Sequence, residues 1–241
     1  MSEGYDCYTR TVLWMYDVQV HWFNDNYAWR CPRPVLQAFF DANAGPRHMD
    51  IGPGTGLFLA EHRGKMQHKG VDWPQQLAFV DMNPNCLQAA TARVGVPART
   101  RCVKANVFAP FTIPPAQPSQ ALAASDAKFD SIALMYVLHC LPPPSQRKAQ
   151  IFHHLKQHLA PNGTLFGATV LGKRAAHGWV GLATLRFYNW NGIFGNLEDD
   201  AEDFVQALKQ EFDVVEANVV GVVLLFRATG PKVKSDTGGH V

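Results

Sequence analysis

Eight consecutive residues, Met49-Asp50-Ile51-Gly52-Pro53-Gly54-Thr55-Gly56, leave few folds open to this chain. A short apolar run ends in three glycines spaced two apart, and the apolar segment Leu57-Phe58-Leu59-Ala60 follows. Strand, glycine turn and helix in that order open an α/β unit. Glycines there let backbone N–H groups approach a ligand closely, beside the positive end of a helix dipole. Two phosphate-binding readings fail. A dinucleotide site wants its third glycine where Leu57 stands, and no Gly-Lys-Ser/Thr follows to complete a Walker loop. What stands is Asp-x-Gly-x-Gly-x-Gly.

Downstream, apolar runs alternate with helical segments. Strands are expected at His48–Ile51, Leu77–Asp81, Arg101–Ala105, Phe129–Tyr136 and Thr164–Leu171. Between them, Thr55–His62, Pro84–Arg93 and Ser145–Leu159 read as helices, which predicts a parallel sheet covered on both faces. Pro110–Ser125 reads as a surface loop. Phe212–Val220, Gly221 and Val222–Ala228 read as a hairpin closing the sheet edge. The polar stretch from Gly230 reads as a disordered tail. Residues 1–43 read as helical, with a short proline-opened helix at Val35–Asp41, and residues 5–29 hold eight of the chain's aromatics. One domain over 1–230 is expected: a helical lid at 1–43, a core at 44–230 with a substrate-side insertion at 172–200, and a tail at 231–241.

Composition removes several function classes. The formal net charge is +2, and no dense block of Lys and Arg offers a nucleic-acid footprint. The beginning of the sequence lacks the basic-then-apolar order of a signal peptide. The longest aliphatic stretch, Val219 to Phe226, is too short to span a bilayer. Five widely spaced cysteines without a Cys-x-x-Cys pair fit reduced thiols and a cytoplasmic protein.

From about Tyr16 to Phe226 the chain resembles the class I S-adenosylmethionine-dependent methyltransferases, whose first motif has the Asp50–Gly56 form. It is most similar to small methyltransferases of fungal and bacterial secondary-metabolite pathways, through Asn26–Pro32, Tyr136–Pro142 and Tyr188–Phe194. The resemblance implies a seven-stranded α/β Rossmann-like methyltransferase sheet with N-terminal helices and a C-terminal antiparallel hairpin. It implies S-adenosyl-L-methionine as cofactor and a small-molecule partner. The donor carries no phosphate; Asp50 would repel a pyrophosphate but attract the donor's ammonium and sulfonium.

The cofactor residues expected on this reading are Asp50, Gly52, Gly54, Thr55, Gly56, Asp81, Met82, Asn106, Val107, Met135 and Tyr136. Asp81 ends the second strand, where a carboxylate can accept hydrogen bonds from both ribose hydroxyls; the alternative is a cap for the helix at Pro84. Met82 would lie against the adenine. Asn106 stands where the family often has Asp, and its side-chain carbonyl can still accept the adenine amino hydrogen. His139, following the strand whose carboxyl end borders the substrate, is the expected general base; the alternative is a histidine that hydrogen-bonds the backbone. His154 and His158 have a metal-compatible spacing but read as solvent-side, and no metal is expected. The aromatics of His177–Asn196 and of the N-terminal segment together read as a lid. Methyl transfer to a small organic acceptor is the expected activity. The rivals are a non-methylating cyclisation or pericyclic step with the cofactor retained, and a non-catalytic subunit of the same fold. The sequence is silent on oligomeric state.

Overall fold

The computed structural model describes residues 27–114 and 128–232. Seven strands, β1 (Arg47–Ile51), β2 (Gln76–Asp81), β3 (Thr100–Lys104), β4 (Phe129–Met135), β5 (Leu159–Val170), β6 (Phe212–Val220) and β7 (Val223–Pro231), form one sheet in the order β3-β2-β1-β4-β5-β7-β6. β7 runs antiparallel to both β5 and β6, while every other pair is parallel. The expected hairpin therefore exists, with its second strand inserted inside the sheet and β6 at the edge. Its turn lies at the same edge as the carboxyl ends of the parallel strands, because Val223 pairs with Val170.

Helices cover both faces because the strands are apolar on both sides. On one face lie α1 (Arg33–Asn43), α2 (Leu57–His68) and α3 (Pro84–Val94), contributing Leu36, Phe40, Leu59 and Ala90 to a core with Phe79 and Phe166. On the other, α4 (Ser145–Lys156) and α6 (Ala201–Glu211) bury Ile151, Phe152, Leu155, Phe204 and Leu208 against Val80, Leu134 and Phe226. A further helix, α5 (Trp179–Trp190), follows β5 and buries Leu185 in the first of these cores.

Several boundaries differ from expectation. α1 packs as core, with Leu36 and Phe40 fully buried, so this part of the expected lid lines the sheet instead. The expected lid residues 1–26, loop residues 115–127 and tail residues 233–241 lie outside the described residues. Gly230 and Pro231 belong to β7, because Pro231 pairs with Phe212. α2 starts at Leu57, since Gly56 at its N-cap is left-handed, and runs on to His68. α4 ends at Lys156, so His154 and His158 do not share a helix face. His158 is not solvent-side: it stacks on Phe111 at 4.5 Å, and burial pushes its imidazole down to about 4. α6 was not foreseen, although Asp200 caps it through Glu202 N–H and Phe204 and Leu208 repeat at helical spacing.

Candidate active site

The sheet order reverses between β1 and β4, and open α/β sheets bind ligands outside the carboxyl ends at such a switch point. Asp50, the glycine loop, Phe58, Met135 and Tyr136 line a cleft there. Gly52, Gly54 and Gly56 all have positive φ (63°, 55° and 73°). A side chain at Gly54 would meet no atom within 4 Å, so the loop presents bare backbone on that side. Thr55 is held by Arg93 of α3, whose Nη1 donates to Oγ1 at 2.6 Å.

Asp50 sits between β2 and β4 in the sheet, opposite Phe79 and Ala133, and is 3% exposed. No side chain or backbone N–H among the described residues donates to its carboxylate. Burial, and then the charge of Asp81, pushes its carboxyl well above the usual range. Asp81, largely buried at the end of β2, is also raised by burial, although the backbone N–H groups of Asn83 and Met82 hold it back. Asp50 thus lines the cleft, and Asp81, at the end of the neighbouring strand, lies close enough for its charge to raise the Asp50 carboxyl. Asn83, not Asp81, caps α3, accepting from Asn85 N–H at 2.9 Å. Asp81 itself accepts from Asn83 N–H through Oδ1 at 2.8 Å.

Beyond β3 the chain turns at Asn106, whose Oδ1 accepts from Phe108 N–H at 3.0 Å. Asn106 is exposed and Val107 is buried. Met82 is half-buried after β2. Tyr136 has φ 61°, a conformation that costs a non-glycine residue on the order of 1–3 kcal/mol. That kink ends β4 at Met135 and sends the chain into the short turn Leu138–Cys140.

His139 in that turn is 2% exposed. Val170 N–H donates to its Nδ1 at 3.2 Å, and the Thr169 hydroxyl lies 3.3 Å from the same nitrogen. The lone pair of a neutral imidazole is then engaged at Nδ1, and the proton sits on Nε2. A second proton would set Nδ1–H against Val170 N–H, and burial already pushes the imidazole down to about 3. The alternative role, a histidine hydrogen-bonded to backbone, is the geometry found.

Rings continue from this point. His139 meets Tyr136 at 5.4 Å and Phe194 at 4.4 Å, and Phe194 meets Tyr188 at 4.9 Å and Trp29 at 6.0 Å. Residues 27–32 and the Tyr136–Pro142 and Tyr188–Phe194 segments singled out in the sequence thereby meet in one aromatic wall beside the cleft. Lys148, Asn189, Asn196 and Asp199 hold this wall from behind, and of these Lys148 and Asp199 lie outside the segments singled out in the sequence. Lys148 alone left a sign, a lysine in line with Ile151 and Leu155 on the buried stripe of α4.

A family profile described as "Methyltransferase domain" matches residues 23–213. The chain belongs to the methyltransferase family. It is 42% identical over 234 residues to the methyltransferase ctvB of Aspergillus terreus, covering 96% of each chain. It is 37% identical to a physcion biosynthesis cluster O-methyltransferase of Aspergillus chevalieri, covering 96% of this chain and 97% of that one. The structure of the N-methyltransferase NodS from Bradyrhizobium japonicum, solved with S-adenosyl-L-homocysteine, has the same fold, with a TM-score of 0.58 at 17% identity over 96% of this chain and all of that one. The methyltransferase transfers a methyl group from S-adenosylmethionine to a small organic acceptor.

The residues of the cleft fit this donor. Asp50 is a buried carboxylate lacking a partner among the described residues, which suits an ammonium or sulfonium and opposes a phosphate. The backbone at Gly54 is open to close approach. Among the described residues, no group of three or more His, Cys, Asp or Glu side chains is placed to hold a metal ion. No helix among them is long and apolar enough to cross a membrane.

Proposed function

We propose that the methyltransferase O-methylates a small aromatic secondary metabolite in the cytoplasm, and that it acts on neither nucleic acid nor membrane lipid. The observation that carries this reading is the aromatic wall Tyr136–His139–Phe194–Tyr188 set directly beside the donor cleft. Relatives named O-methyltransferases agree with it, and no observation favours a non-methylating cyclisation or a non-catalytic subunit. When bound, S-adenosylmethionine supplies a methyl group on a sulfonium that is already an excellent leaving group.

The chain's own residues then do the following. Asp50 would serve the amino-acid end of the donor as a counter-charge, and Gly52, Gly54, Thr55 and Gly56 would offer it backbone. Asp81 would accept from the ribose hydroxyls, while Met82, Asn106 and Val107 would hold the adenine. Met135 and Tyr136 close the floor of the cleft. His139 stays neutral and holds its ring edge-on to Phe194, shaping the acceptor wall; an ionisable phenol sheds its proton without it. Alignment and exclusion of water supply the catalysis, for which positioning can be worth about 7–11 kcal/mol.

The test is turnover of methyl-labelled donor with a panel of phenols, aliphatic alcohols and alkyl amines. Phenols are expected to be methylated fastest. Turnover confined to amines, or none with any acceptor while the donor binds, would overturn the reading.

A further inference from the structure

Lys148 projects from α4 with its side chain 0% exposed, and its partner Asp199 is 2% exposed. Lys148 Nζ donates to Asp199 Oδ2 at 2.5 Å and to the carbonyl of Gly195 at 3.0 Å. Burying two opposite charges generally stabilises a fold no better than an apolar pair of similar volume. Stability alone therefore does not account for the pair, and its bonds show where it acts. Both acceptors lie in the segment 195–199 that follows Phe194.

The same segment is tied at two more places. Gly195 N–H donates to the His139 carbonyl at 2.9 Å. A side chain at Gly195 would stand 2.6 Å from the Leu141 carbonyl, so the segment is pressed against residues 139–143. Asn196, fully buried, donates through Nδ2 to the Val170 carbonyl at 2.8 Å. Its Oδ1 accepts from Asn189 Nδ2 at 2.9 Å, and its N–H donates to Asn189 Oδ1 at 3.0 Å. Val170 thus holds both sides of the wall, giving its N–H to His139 and its carbonyl to Asn196. The ring of Phe194 lies 4.4 Å from that of His139; the peptide joining Phe194 to Gly195 is bonded to the His139 carbonyl, and the Lys148 ammonium fixes the next peptide through the Gly195 carbonyl.

We propose that the Lys148–Asp199 pair is a positioning device for acceptor recognition, setting Phe194 against His139 from outside the site without touching donor or acceptor. The proposal rests on the reading of the aromatic wall as the acceptor surface. It assigns Lys148 and Asp199 an effect on acceptor KM that is separate from donor binding, since Asp50 and the glycine loop belong to other elements.

The experiment compares wild type, K148M, K148M/D199L and F194L. The double variant leaves no unpaired buried charge and is the safeguard if K148M alone fails to fold. With the phenol that wild type turns over best, K148M/D199L and F194L are each expected to raise acceptor KM about tenfold, equivalent to about 1.4 kcal/mol. Donor Kd by calorimetry should stay within about twofold of wild type. Hydrogen exchange at the Gly195 amide should quicken about tenfold or more in K148M/D199L, a readout that needs no acceptor. A folded double variant with wild-type acceptor KM and wild-type Gly195 exchange overturns the proposal. So does an F194L variant with wild-type acceptor KM, or donor affinity falling as far as acceptor affinity. Failure of wild type to methylate any phenol counts against the proposed function, while Gly195 exchange still decides the role of the pair in holding the segment.

Discussion

Asp50→Asn separates the donor's counter-charge from the fold. The substitution keeps the size of the side chain and one carbonyl oxygen but removes a charge that is 3% exposed and has no partner among the described residues. Hydrogen bonds to charged groups are worth about 1.5–3 kcal/mol, so donor affinity should fall about ten- to a hundredfold. The pH dependence gives a second signature. A carboxyl raised in the folded protein contributes stability that is fully present below its unfolded value near 3.8 and is lost as pH rises through the raised folded value. At neutral pH the ligand-free wild type therefore carries the penalty of a buried charge, and Asp50→Asn should melt at the same temperature or higher. Donor binding to the wild type should tighten with pH as Asp50 ionises, whereas the variant should lose this dependence. Calorimetry across pH 5–9, with melting curves on both proteins, measures all three effects. A variant that binds the donor normally, or that melts lower without donor at neutral pH, would refute the reasoning.

Asp81→Ala should weaken donor binding about ten- to a hundredfold by calorimetry, through loss of a charged acceptor for the ribose. His139→Gln should leave the shape of the turnover–pH profile above pH 5 unchanged, because an imidazole pushed down to about 3 does not titrate there. A limb near neutral pH that vanishes in the variant would restore His139 as the base. His48 and His139 are both held down to about 3, so the stability they contribute is complete above about 6.5 and drains away as pH falls toward 3. Melting temperature should follow, dropping about 2–4 °C per kcal/mol lost in a domain of this size. Gly221→Ala should lower the melting temperature, since its φ is +60° and the new Cβ would stand 2.2 Å from the Trp29 carbonyl; an unchanged melting curve would show that the turn relaxes freely.

The cleft at the carboxyl ends of β1 and β4 was legible because its signals are local. A strand, three glycines and a helix lie within a dozen residues, and Asp81 stands at the end of an apolar run that suits a buried strand. The aromatic wall beside it was not, because its geometry is set by distant residues. The lone pair of His139 is taken by Val170, and the Lys148 ammonium finds its carboxylate on the segment between α5 and α6. The start of β5 was hidden for another reason. Pro161, Asn162 and Gly163 are residues that strands disfavour, yet the strand runs through them because the register with β4 jumps from Phe129↔Leu159 to Ser131↔Thr164, leaving those residues off the ladder.

The place of β7 inside the sheet has a consequence for how the chain tolerates shortening. β6 pairs with no strand but β7, and β7 alone covers the far side of β5. A stop before Gly221 would not trim the sheet back by one edge strand. It would strip two, leaving β6 with nothing to pair with and exposing the hydrogen-bonding edge of β5 beside Leu165, Phe166 and Ala168, all fully buried in the intact fold. Open apolar edges of that kind recruit other chains. The same stop would remove Val222, whose N–H donates to the Trp29 carbonyl at 3.0 Å, and with it the clamp between the two ends of the described chain. A ribosome must therefore finish β7 before β5 is safe from its neighbours, and the strand made last is the one on which the edge strand depends.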